Sequence, residues 1–132
     1  MQATESMAAW VALFVEESRT RLAEMSEELT AERVGPKSLS ATERAVHQIA
    51  GGAAMVGCGG IAVFARMAEC VVGRLRRGEL PFGAAQRVLL QQTAAELAAT
   101  LDRAALGEVL IRPSPALKAV LEAWAHPGKP KE

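Results

Sequence analysis

The chain has 132 residues and balances 15 lysines and arginines against 15 aspartates and glutamates. That is long enough for one domain with its own core, with no net field for holding nucleic acid. Half of it is hydrophobic, much of that alanine, and tyrosine is absent, which favours helices over strands and predicts an all-α fold.

In chain order, Met7, Trp10, Phe14, Leu22, Met25 and Leu29 recur at helical intervals with acidic residues between them, predicting an amphipathic helix over 7–32. Gly35 and Pro36 are expected to end it. Ser40 with Glu43 has the spacing of a capping box, predicting a second helix from there to about Val56. A glycine-rich break around Cys58 follows. Ile61, Phe64, Ala68, Val71, Val72 and Leu75 then form the stripe of a third helix ending near Gly78, where Arg76 and Arg77 suit the C-terminal dipole. Pro81 is expected in the first turn of a fourth helix, whose face is carried by Val88, Leu89, Gln92, Leu97 and Leu101 as far as Leu106. Ser114 and Pro115 start a short fifth helix with Leu117, Val120, Leu121 and Trp124, and a polar tail follows from His126. Short connections favour antiparallel neighbours. The predicted architecture is an up-and-down four-helix bundle with a core over 7–106, an appended helix over 114–125, and residues 126–132 as a tail or the start of a linker.

Residues 48–65 carry no formal charge, but Gly57, Gly59 and Gly60 interrupt them and their apolar side chains are small, so no membrane insertion is expected. The start carries Glu5 and no basic segment, so no signal peptide is read and a cytoplasmic location is expected. Cys58 and Cys70 are too far apart along a helix for an internal disulfide, and neither they nor the histidines have the spacing of a metal site.

The most informative segment is His47-Gln-Ile-Ala-Gly51-Gly52. A helical residue at i+4 crowds the approach to residue i, and glycine at 51 removes that obstruction. Glycine costs about 1 kcal/mol against alanine inside a helix, so the pair calls for a reason, and access to His47 is one. If the break at Cys58 joins antiparallel helices of equal rise, residues whose numbers sum to about 116 face one another, which sets Glu69 opposite His47. A carboxylate at one imidazole nitrogen fixes the tautomer and presents the other as a nucleophile. The same spacing also suits an ordinary histidine and a solvated acid. Arg44 lies one turn before His47 and Arg66 one turn before Glu69, where they either border the same patch or occupy solvated faces. His126 has no acidic partner at helical spacing and is expected to be functionless.

Phe14-Val-Glu-Glu in the first helix, Arg44-Ala-Val-His47 followed by Gly51-Gly52-Ala53 and Gly57, and Met67-Ala-Glu69 with Arg76-Arg77-Gly78-Glu79 resemble the histidine phosphotransfer (HPt) domains. They are most similar to the N-terminal phosphotransfer domain of the chemotaxis kinase CheA, over residues 7–106. The resemblance implies a four-helix phosphoryl carrier in which His47 accepts a phosphoryl group from a histidine kinase catalytic domain and passes it to an aspartate of a response-regulator receiver. It implies that Glu69 orients His47, while Arg44, Ala50, Gly51, Gly52 and Arg66 lie near the phosphate or the docked partner. It also implies a monomeric non-enzyme without a cofactor of its own, ATP and Mg²⁺ acting on the kinase and Mg²⁺ on the receiver. Many members carry a lysine where this chain has Ala50, and the CheA domain often has a second histidine where it has Arg66. These departures leave open a docking module without efficient transfer, and the chain is equally compatible with being part of a longer CheA-like kinase.

Overall fold

Residues 3 to 126 are described by a computed structural model, and they form five helices: α1 (Ala3–Thr30), α2 (Pro36–Met55), α3 (Gly59–Arg76), α4 (Ala84–Ala105) and α5 (Pro115–Ala125). α1 to α4 alternate in direction across short connections, and α5 follows α4 after a longer one over 106–114. α1 packs on α2 and α4, and α3 packs on α2 and α4, which closes the expected four-helix bundle, while α5 lies against α3. The tail expected beyond His126 falls outside the described residues.

The helix ends follow from local chemistry. Pro36 opens α2 with Gly35 as its N-cap, because the ring presets a helical φ and proline lacks the N–H that a first turn leaves unpaired. The capping-box reading of Ser40 and Glu43 is therefore incorrect: both lie inside the helix, and Gly35-Pro36 starts α2 instead of ending α1. At the other end of α2, Gly57 has φ +82°, and the Cys58 and Gly57 N–H groups donate to the carbonyls of Ala53 and Ala54 at 2.8 and 3.3 Å. This Schellman arrangement stops the helix and reverses the chain within a few residues. Pro81 stands before α4 and not in its first turn; Gly83 is the N-cap, its N–H donating to Oε1 of Gln86 at 2.8 Å. Ser114 caps α5 as expected, accepting from the Leu117 N–H at 3.2 Å. The α1 C-terminus is held from α4, where the Arg87 guanidinium donates to the carbonyls of Leu29 and Ala31 at 2.6 and 2.7 Å.

The core contains Met25, Leu29, Ile49, Ile61, Phe64, Leu90, Leu97 and Leu101, all sealed from solvent. Thr42, Thr93 and Thr100 are buried with them, each hydroxyl donating back to a carbonyl one turn earlier. Leu121 of α5 is equally buried, so α5 contributes to the core and is more than an appendage. Two expected core positions of α1, Met7 and Trp10, are instead exposed, Trp10 at 58 %. α2 ends at Met55, and the first turns of α1 overhang it. Val88 and Gln92 of α4 also face solvent, leaving Leu89, Leu90, Leu97 and Leu101 as its buried face.

Candidate functional site

His47 and Glu69 project from the facing sides of α2 and α3. The small side chains Ala53 of α2 and Ala62, Ala65 and Ala68 of α3 are buried, which suits a close approach of the two packed backbones. Nδ1 of His47 lies 2.7 Å from Oε2 of Glu69, the pairing that the hairpin register predicts. In the neutral imidazole, a carboxylate acceptor at Nδ1 favours the tautomer with the proton on Nδ1 and the lone pair on Nε2. The His47 side chain is 70 % exposed and that of Glu69 28 %, so the acid is partly shielded while the imidazole is presented to a visitor. A short hydrogen bond to a carboxylate also stabilises positive charge that develops on the ring.

The glycine pair divides into two roles. A Cβ on Gly51 would meet nothing within 4 Å, consistent with open space one turn beyond His47. A Cβ on Gly52 would sit 2.9 Å from Cδ1 of the buried Phe14 ring, so Gly52 allows α1 to close on α2. It serves helix packing, although it still lines the cleft beside His47. That cleft, about 450 Å³, runs between α1 and α2 and is floored by Phe14 and Ser18, with Trp10, Leu13 and Met55 at its apolar end and Glu17, Arg21 and Gln48 at its polar end. Sequence reasoning missed these α1 residues. The signal was available: applied to the turn near Arg33, the same register arithmetic pairs residues summing to about 66 and sets α1 residues near Arg19 opposite His47.

Ala50 is 1 % exposed and packed in the core, so it is not a phosphate-proximal or docking position, and the expectation for it is corrected. Three residues on from His47, its Cβ has turned to the side of Ile49 and Ala53, away from solvent. Arg44 and Arg66 are both exposed, and among the described residues neither has an ion-pair partner. Arg44 lines a groove with Glu24, Glu27 and Glu28 of α1, and Arg66 lines a separate depression with Glu43, Glu69 and Cys70. They flank the His47–Glu69 pair from opposite sides, and neither lines the His47 cleft.

At the far end of α3, Arg76 pairs with Glu43 of α2, and Glu79 bridges Arg77 and Arg74 at 2.7 and 3.2 Å. Hydrogen bonds from Arg77 and then Arg74 hold the Glu79 carboxyl below the ordinary range. Arg74 also donates to the Trp124 carbonyl at 2.9 Å, tying α5 to α3. Cys58 and Cys70 are free thiols, and burial pushes the pKa of Cys58 up.

The Hpt domain family model matches residues 9–124, nearly the whole chain. This chain belongs to the Hpt domain family. Hpt domains are phosphocarrier modules of phosphorelay signalling that pass phoshoryl groups by way of a histidine, and their place in two-component systems implies kinase and receiver partners. The match includes α5, which extends this Hpt domain past the end of α4. No curated protein matches the chain. No helix among the described residues of this Hpt domain is long and apolar enough to cross a membrane.

Proposed function

We propose that His47 is the phosphoryl-accepting residue and that Glu69 positions it. One observation carries this reading: an exposed imidazole with Nδ1 fixed 2.7 Å from a carboxylate, beside an unobstructed turn at Gly51. The Nε2 lone pair attacks the γ-phosphorus of ATP held by a kinase catalytic domain; the N–P bond forms, the bond to the bridging oxygen breaks, and ADP leaves. Nδ1 keeps its proton, and Glu69 offsets the positive charge of the phosphorylated ring. In the second transfer a receiver aspartate oxygen attacks the same phosphorus, the N–P bond breaks, and the ring returns to neutral. Mg²⁺ belongs to the kinase and receiver steps, and the domain supplies no cofactor of its own.

The exposed apolar patch of Trp10, Leu13 and Met55, with Met55 87 % exposed, gives both partners a common surface beside His47. Arg44 and Arg66, exposed on either side of the His47–Glu69 pair and outside that patch, serve as docking cations. The Phe14-Val-Glu-Glu opening and the Met67-Ala-Glu69 segment favour a CheA-type kinase as donor, and a chemotaxis-type relay acting in the cytoplasm through a monomeric domain. A docking module without transfer is the second reading, favoured by the burial of Ala50, which leaves that position without a cation.

Incubation with a CheA-type catalytic domain, ATP and Mg²⁺ should give acid-labile, base-stable phosphate that a receiver domain removes. If neither this kinase nor a small phosphodonor labels the protein, transfer is refuted and docking alone stands.

A further inference from the structure

The register between α1 and α2 points to a cation for the phosphoryl group that lies on neither α2 nor α3. The two ring nitrogens of His47 flank Cε1 and point in widely divergent directions, and Nδ1 is turned to Glu69 on α3. Nε2 is therefore on the edge away from α3, and the cleft that His47 lines on that side is built by α1 and α2. A phosphoryl group on Nε2 brings negative charge into this cleft, where Glu17 already contributes one negative charge. Such a group needs a compensating donor. Arg44 and Arg66 line other depressions, and position 50 is sealed in the core. The cleft itself holds one cation among its described lining residues, Arg21.

Arg21 is placed to reach it. Phe14 of α1 packs at Gly52 of α2, and the antiparallel register from that contact sets Arg21 beside Ala45, within a turn of His47. With Gln48, it lines both the His47 cleft and the neighbouring groove of Glu24, Glu27 and Glu28. Its ion pair is a loose one to Glu24, 3.7 Å apart with side chains 42 % and 62 % exposed, which holds the guanidinium weakly. We propose that Arg21 swings from Glu24 to the phosphoryl oxygens on His47 and stabilises the phosphorylated state from α1, in place of a cation at position 50. This rests on the reading of His47 as the phosphoryl acceptor. The planar guanidinium forks onto two phosphoryl oxygens, and no bond other than hydrogen bonds is made or broken by it.

The test uses the whole protein and phosphoramidate, a donor that needs no docking: its P–N bond breaks, ammonia leaves, and the new N–P bond forms at His47. Acid-labile phosphate is followed over time in the wild type, Arg21→Ala, Arg21→Lys and, as a control for lost surface charge, Arg33→Ala. Loss of one charge-assisted hydrogen bond predicts roughly tenfold slower labelling in Arg21→Ala, partial recovery in Arg21→Lys, and the wild-type rate in Arg33→Ala. Thermal unfolding should be nearly unchanged in all four, which separates this role from a structural one. Labelling of Arg21→Ala at the wild-type rate, or equal slowing in Arg33→Ala, overturns the assignment of Arg21 and leaves His47 standing. A wild type that takes no label overturns the reading of His47, and this inference with it.

Discussion

Replacing Gly51 and Gly52 by alanine, one at a time, should move stability in opposite directions although the residues are neighbours in one helix. Alanine gains about 0.5–1 kcal/mol over glycine in a helix interior through backbone entropy. At Gly51 the new methyl meets nothing within 4 Å, so that gain is realised in full. At Gly52 the methyl would lie 2.9 Å from Cδ1 of Phe14, and the ring is buried in the α1–α2 seam. Forcing a packed ring aside costs typically 1–3 kcal/mol, which exceeds the helix gain and leaves a net loss of about 1 kcal/mol. The two variants should thus differ by roughly 2 kcal/mol, or ~6–10 °C in Tm for a domain of this size. Urea unfolding with a common slope, checked by thermal circular dichroism, measures the difference. Equal shifts of the same sign would refute the close approach of α1 at Gly52. Gly51→Leu extends the test to function: it should leave labelling by phosphoramidate intact and slow labelling by a kinase domain, whose approach the larger side chain obstructs.

Three further outcomes follow from the same geometry. Glu69→Gln should stay folded and accept phosphate about tenfold more slowly, because a neutral amide replaces a charge-assisted hydrogen bond worth about 1.4 kcal/mol more, and an unchanged rate would remove Glu69 from the mechanism. Ala50→Lys should lower stability by more than 1 kcal/mol and give no increase in phosphorylation, since its stem enters the core; a stable variant with faster labelling would show that the position reaches the phosphate after all. Glu79 has a folded-state pKa below its unfolded one, so its contribution is present above the unfolded value of about 4.3 and fades as pH falls through the lower folded one. Wild type should therefore be more stable than Glu79→Gln at neutral pH and converge on it in acid, and parallel unfolding curves across that window would contradict the clasp with Arg77 and Arg74.

The His47–Glu69 pair was legible in the sequence because the turn between α2 and α3 is tight and fixed. Gly57 terminates one helix, the next starts at Gly59, and little slack remains to shift the register. The α3 stripe was equally legible, since a helix bounded on several sides buries every residue its period marks. Trp10 and Met7 misled for the complementary reason: periodicity reports a face, and not where the neighbouring helix stops. The pattern of α1 continues past the end of α2, and its surplus becomes an exposed patch. Ala50 misled because the motif position and the helix face are different things, and an alanine methyl there joins the core. The start of α2 was misplaced because two signals competed, and the proline at the first helical position outweighed the Ser40–Glu43 spacing, which lies a turn further in.

The most direct measurement is the position of the phosphoryl group after treatment with phosphoramidate, by peptide mapping at alkaline pH together with nuclear magnetic resonance of the imidazole. The account predicts one label, on Nε2 of His47, absent from His47→Gln and retained in His126→Gln. A label that persists in His47→Gln, or that sits on Nδ1 where Glu69 is bound, would contradict it.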